Sequence, residues 1–282
     1  MMTEFGVPPF GTYRLKGIRK KLLAIAQHQR PTWLGRRLAL IARKLVLHHR
    51  DLPIDASTEG LLIRAHVGDN VSERKFLFMP QFTDPQERDF LSAHLTPNGM
   101  FIDIGANAGI YTLTAARRYS SLGGKGHVIA VEANPTMQER LNYNVNLNKL
   151  ENRVHLEPVA LDSQDGTATF SISSRNLGES GLASTGEKTI QVPTRTLLSL
   201  LSSHPPARVD GIKIDVEGIE DAILTPFLEQ AVRAQLPNFI IIEDSTSRWR
   251  SDLPGLLASK GYKVRMRCKM NLVLVLQQAG DA

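Results

Sequence analysis

The chain has 282 residues, 42% hydrophobic and 22% charged, which is ordinary globular usage and excludes collagen, coiled coil and wholesale disorder. A single cysteine, Cys268, excludes an internal disulfide and a cysteine-rich zinc site. The net charge of +6 is uneven: residues 1–50 carry eleven Lys and Arg against one acid, Glu4, and the remainder carries 23 basic against 27 acidic residues. The basic character therefore belongs to the N-terminal segment, which argues against a nucleic-acid binder built on the whole protein.

Taken along the chain, residues 14–28 and 33–48 read as two helices separated by Pro31. In the second, Trp33, Leu34, Leu38, Ile41 and Leu45 recur at helical steps among Arg36, Arg37, Arg43 and Lys44. Three partners stay open for this arm: its own domain or a second subunit, an anionic membrane surface through residues 14–48, and nucleic acid. Nucleic acid is disfavoured because no aromatic stacking run accompanies the charge. No apolar run reaches transmembrane length, and the start lacks the layout of a signal peptide. The expectation is a cytoplasmic protein, at most peripheral to a membrane.

Residues 60–67 and 74–79 read as two short strands joined at Gly68, Asp69 and Asn70, followed by a helix from Pro85 to His94. From residue 98 onward, short apolar runs alternate with helical segments. The runs are 100–104, 127–132, 153–159, 209–215, 237–243, 262–268 and 271–277. That pattern predicts an α/β fold with a doubly wound, mostly parallel sheet covered on both faces. Too few residues separate the last two runs for a parallel return, so they must form an antiparallel hairpin. A polar insertion near 163–193 carries two strand-like stretches, 167–173 and 188–193. The predicted organisation is a helical arm over 1–58, a small hairpin and helix over 59–96, and a main domain over 97–282.

The chemistry concentrates at strand ends. Asp103-Ile-Gly105-Ala-Asn107-Ala-Gly109 follows a strand and opens a helix, where glycine allows close approach and free N–H groups face a ligand. A dinucleotide fingerprint needs G-x-G-x-x-G; here the glycines are four apart, so a nicotinamide dehydrogenase fails in detail. Glu132, after the next strand, can accept from both hydroxyls of a ribose. Lys213-Ile-Asp215-Val-Glu217-Gly218-Ile-Glu220 places acids beyond a strand whose carboxyl end should line the crevice. Glu220 reads equally well as an acid that begins a helix. With Glu243, four strand ends on one edge carry acids. The histidines show no metal-ligand spacing, and no metal is expected. Neither a Gly-x-Ser-x-Gly elbow nor a P-loop is present.

The runs FIDIGANAGIYT, VIAVEANP, LNYNVNLN, VALDSQDG and KIDVEGIE, in this order over residues 97–245, resemble the FkbM-type S-adenosylmethionine-dependent methyltransferases. The resemblance implies a seven-stranded, Rossmann-like class I methyltransferase fold with a C-terminal antiparallel hairpin. It also implies O-methylation of a hydroxyl on a sugar, lipid-linked or secondary-metabolite acceptor. By motif position, Asp103, Gly105, Asn107 and Gly109 would hold the methionine part of S-adenosyl-L-methionine. Glu132 would bind its ribose beside Ala133 and Asn134, and Ala160, Leu161 and Asp162 would border the adenine. Asp215 and Glu217 would face the transferring methyl group and the acceptor. The chain departs from the family pattern at Ala133, where EPNP is frequent, and at Leu198, where an acid is usual. A non-catalytic nucleotide-fold module tethered by its basic arm is the alternative reading. Oligomeric state stays open.

Overall fold

The computed structural model describes residues 7–49, 52–173, 176–182, 188–205 and 208–277. Glu4, Arg50 and parts of the 163–193 insertion lie outside them. Two helices open the chain, α1 (Gly17–Gln27) and α2 (Trp33–Leu47). Thr32 caps α2 by accepting from the Gly35 amide. The guanidinium of Arg19 donates to the His48 carbonyl, which ties the start of α1 to the end of α2 and makes the pair antiparallel.

Strands β1 (Ile54–Thr58) and β2 (Leu61–Ala65) form an antiparallel hairpin. Its turn, Glu59-Gly60, has positive φ at both residues (47° and 78°), the geometry that suits the twist of a two-residue hairpin. The predicted strand over 74–79 is instead helix α3 (Val71–Phe78). Asn70, assigned to a strand turn from sequence, is the helix cap and accepts from the Glu73 amide. A short apolar run such as Phe76-Leu77-Phe78 does not discriminate helix from strand by period alone; the cap decides it. Helix α4 (Pro85–His94) has the predicted bounds.

The remaining elements alternate as expected: β3 (Met100–Ile104), α5 (Ile110–Leu122), β4 (His127–Val131), α6 (Pro135–Leu147) and β5 (Val154–Glu157). The insertion forms a separate three-stranded sheet from β6 (Ala160–Leu161), β7 (Gly166–Ile172) and β8 (Lys188–Arg195). Then follow α7 (Leu197–Ser203), β9 (Val209–Ile214), α8 (Glu220–Gln230), β10 (Phe239–Glu243), α9 (Leu253–Ser259), β11 (Tyr262–Arg267) and β12 (Asn271–Leu276).

The main sheet has seven strands in the order β11-β12-β10-β9-β3-β4-β5. The five strands β5, β4, β3, β9 and β10 are parallel. Strand β12 pairs antiparallel with both β10 and β11, the predicted hairpin. The order reverses between β3 and β9, the switch point at which open α/β sheets bind ligands.

Alternation along the strands sorts the core onto two faces. Phe101, Val128, Phe239 and Ile241 look toward α3, α5, β2 and the N-terminal helices. Met100, Ile102, Ile129, Ile212 and Ile240 look toward α7, α8 and α9. Helices α1 and α2 join the first face through Leu23, Ala26, Ala39, Ala42 and Val46.

Candidate active site

The carboxyl ends of β3, β4 and β9 converge on one pocket. Its walls include Gly105, Asn107, Glu132, Ala133, Ala160, Leu161, Asp215 and Glu217. Eight of the twelve residues singled out from sequence therefore meet, from segments up to 112 positions apart. The structure places Asp103, Gly109, Asn134 and Asp162 outside the lining.

The first turn shows why these residue types stand here. Gly105 has φ +75°, and a Cβ on it would lie 2.1 Å from the Asp215 carbonyl oxygen. Two strand ends can meet only because this position lacks a side chain. Asn107 also adopts positive φ (53°), a region Asn tolerates better than most residues. Gly109, with φ +93°, would drive a Cβ to 2.2 Å from Leu141 Cδ1, so its part is to seat α5 on α6. Asp103 is buried and accepts from Thr112 Oγ1 at 2.6 Å. It anchors α5 beneath the loop from below. Burial raises its pKa, with the nearby Lys213 charge opposing.

Glu132 projects from the end of β4. One carboxylate oxygen accepts from the Asn107 amide and the other from the Asn134 amide, both at 2.7 Å. Burial pushes its pKa up to about 7 against these two hydrogen bonds. Each oxygen keeps a further acceptor site. Asn134 caps α6 through Oδ1, which accepts from Thr136, while its buried Nδ2 has no partner. The spare lone pairs of Glu132, which lines the pocket, suit a polyhydroxylated ligand. Asp162 sits at the insertion, where Oδ1 accepts from the Ser163 amide.

Glu217 has positive φ (61°), rare for a residue with a long side chain and characteristic of functional loops. It lines the pocket and also an adjoining cleft of about 920 Å³, as does Ile219. The cleft wall is mixed, with the charged residues Glu179, Asp221, Glu229, Arg248 and Arg250 beside Ile219, Ala222 and Pro226. Burial pushes the Glu217 carboxyl up to about 7, helped by Asp215, Glu243 and Glu179, with Arg248 opposing. Asp215, nearly half exposed, pairs with the buried Lys213 at 3.0 Å. Burial works against the Lys213 charge, but Asp215 and Asp103 outweigh it and hold its pKa above the ordinary value.

Glu220, ambiguous in sequence, is wholly buried. It accepts from the amides of Val216 and Gly218 and from Trp249 Nε1. It holds the loop that presents Glu217. Arg248 was not legible from sequence: it donates to Glu243 Oε2 at 3.0 Å and to the Glu217 carbonyl at 3.3 Å, bridging two strand ends. Asn70 was also missed; its Nδ2 donates to Asn107 Oδ1 at 2.7 Å. His155 and His204 meet at Glu157 Oε1, at 3.1 and 2.6 Å, a contact that spacing hides. The segment with the 3₁₀ turn Leu177–Glu179 covers the pocket and leaves it only about 60 Å³, well below the roughly 300–1,000 Å³ of small-molecule sites.

A model of the methyltransferase FkbM domain matches residues 103–264, more than half of the chain. The chain belongs to the FkbM methyltransferase family. The methyltransferase sdnD of Sordaria araneosa is 25% identical over 224 residues, covering 68% of this chain and 83% of that protein. Among solved structures, the FkbM methyltransferase from Methylobacillus flagellatus KT gives a TM-score of 0.46 at 13% identity, over 73% of this chain and 55% of that one. The O-methyltransferase from Bacillus cereus, in complex with SAH, gives 0.42 at 15% identity, over 69% and 82%. As a member of the FkbM methyltransferase family, this protein uses S-adenosyl-L-methionine. The strand-end pocket carries the Glu132 carboxylate and the Gly105–Asn107 turn on its wall.

Proposed function

We propose that the protein transfers the methyl group to a hydroxyl of a polar acceptor, such as a sugar, a lipid-linked glycan or a hydroxylated secondary metabolite. The observation that carries this reading is the position of Glu217, shared between the strand-end pocket and the larger cleft. The sulfonium of S-adenosylmethionine supplies an electrophilic methyl group. Glu132 would hold the ribose, with Asn134 fixing its carboxylate from behind, the Gly105–Asn107 turn would hold the amino-acid end, and Ala160 and Leu161 the adenine.

A neutral hydroxyl becomes a competent nucleophile when a base takes its proton. Glu217, with a pKa of about 7, is poised to accept a proton near neutral pH. Asp215, held by Lys213, orients the acceptor from the other side. The charged side chains on the cleft wall favour a hydroxylated acceptor over a wholly apolar one.

The test is methyl transfer from labelled S-adenosylmethionine to a panel of monosaccharides, glycolipids and hydroxylated aromatics, with the product bond assigned by mass spectrometry and NMR. A methyl ether supports the reading. An N-methyl product, or turnover unaffected by Glu217→Gln, sinks it.

A further inference from the structure

The apolar stripe of α2 does not face the core. Trp33 is 70% exposed, Leu34 60%, Ile41 57% and Leu45 54%, with Leu38 at 44%. The buried face of α2 is built mainly of small residues, Gly35, Ala39 and Ala42, with Val46; Leu40 and Leu47 pack beside them, and α1 is the main neighbour. On α1, Ile18 and Ile25 are likewise exposed at 68% and 49%. Soluble monomers scatter single exposed apolar residues, whereas a run of large ones on one helix pair marks an interaction surface.

The charge around it selects the partner. Residues 7–49 carry ten Lys and Arg and no Asp or Glu. Among the described residues none of these ten enters a salt bridge. Lys20, Lys21, Arg36, Arg37 and Lys44 are exposed. The Arg37 guanidinium lies 4.4 Å over the Trp33 ring, an aromatic–cation pair suited to the boundary between headgroups and acyl chains. A second copy of this surface would bring like charge against like charge, which opposes self-association. Nucleic acid would use the charge but leave the aliphatic stripe in water. No helix among the described residues is long and apolar enough to cross a membrane, so the pair would lie in the surface plane.

We infer that α1 and α2 form a docking face for an anionic lipid bilayer, with the α2 stripe entering the acyl boundary and the basic residues meeting acidic headgroups. Each Lys or Arg near such a surface adds a few-fold in affinity, and the attraction falls with salt. The face exists because α2 packs chiefly on α1, with Ala39, Ala42 and Val46 buried, and leaves Trp33, Leu34, Leu38, Ile41 and Leu45 outward.

Flotation of the full chain with two vesicle types tests this: phosphatidylcholine alone, and phosphatidylcholine with roughly one-third phosphatidylserine. Partitioning should be at least tenfold stronger on the mixed vesicles and fall as NaCl rises from about 0.1 to about 0.5 M. Leu38→Glu with Ile41→Glu should abolish it. Arg37→Gln with Lys44→Gln should weaken it roughly thirtyfold at low salt. Both variants should keep the wild-type Tm and affinity for S-adenosylhomocysteine. Vesicles should also shift the fluorescence to the blue, and Trp33→Phe should remove that shift. Equal partitioning onto both vesicle types, or none onto either, overturns the inference. So does a dimer in light scattering that Leu38→Glu with Ile41→Glu converts to monomer. These readouts do not depend on turnover, so they stand apart from the choice of methyl acceptor.

Discussion

The Asp215 carbonyl oxygen lies 2.1 Å from where a Cβ on Gly105 would sit. The two strand ends that frame the candidate site, β3 and β9, are thus in contact through backbone alone. The side chain of Asp215 and the turn that would hold the cofactor are positioned by the same close approach.

Gly105→Ala should therefore damage both stability and binding. A methyl group meets an immovable carbonyl, and φ of +75° is unfavourable for alanine. A loss of about 1–3 kcal/mol is expected, with affinity for S-adenosylhomocysteine down at least tenfold. Urea denaturation and calorimetric titration of the same variant check the two effects. Unchanged affinity would show that the turn does not contact the cofactor.

Glu217→Gln should lower kcat by about 10²-fold or more while leaving S-adenosylhomocysteine affinity within about threefold. Wild-type kcat should rise with pH through an apparent pKa near the Glu217 value of about 7, because only the ionised carboxylate accepts a proton. The variant's profile should lose that limb. Persistence of the limb would assign it to another group.

Glu132 couples folding to pH. Its folded pKa is about 7 against an ordinary 4.5. Between these values the folded protein binds more protons than the unfolded chain, so stability falls as pH rises. The contribution is fully present below about 4.5 and lost above about 7. Glu132→Gln should flatten the difference in urea midpoint between about pH 5 and about pH 8. It should also cost at least tenfold in S-adenosylhomocysteine affinity.

Asp55 fastens the N-terminal segment. Its carboxylate accepts from Arg64 at 2.7 Å and from the Gly11 and Tyr13 amides. Both side chains of the ion pair are almost wholly buried. Burial opposes the Asp55 charge, but Arg64 and the two amides hold its pKa below the ordinary value. Asp55→Ala leaves a buried guanidinium without its acid, and the expected loss is about 3–5 kcal/mol. Denaturant midpoints measure the loss, and limited proteolysis should show the first residues released.

Sequence alone was enough to locate every strand of the main sheet to within a few residues. Runs such as Phe101-Ile-Asp-Ile and Phe239-Ile-Ile-Ile are buried on both faces, and a continuous apolar run bounded by helices has few other readings. The glycine spacing weakened a dinucleotide reading, and the strand-end acids marked the edge where the pocket lies. All of these are local properties, carried by neighbours in the chain. Three matters were decided only by tertiary contact. Asn70, whose cap on α3 is local, was brought by the fold against Asn107 and Met137. Glu220, which in sequence read equally well as a site acid or a helix-starting acid, turned inward to bind the loop, while Glu217 faces two cavities. The apolar stripe of α2 turned outward, although burying each of its leucines would contribute roughly 1.5–3 kcal/mol. Helical period shows that Leu34, Leu38, Ile41 and Leu45 share a face. It cannot show which face is taken up in packing; here Ala39, Ala42 and Val46 are buried with α1 as the main neighbour, and Gly35 leaves room for the Arg30 carbonyl.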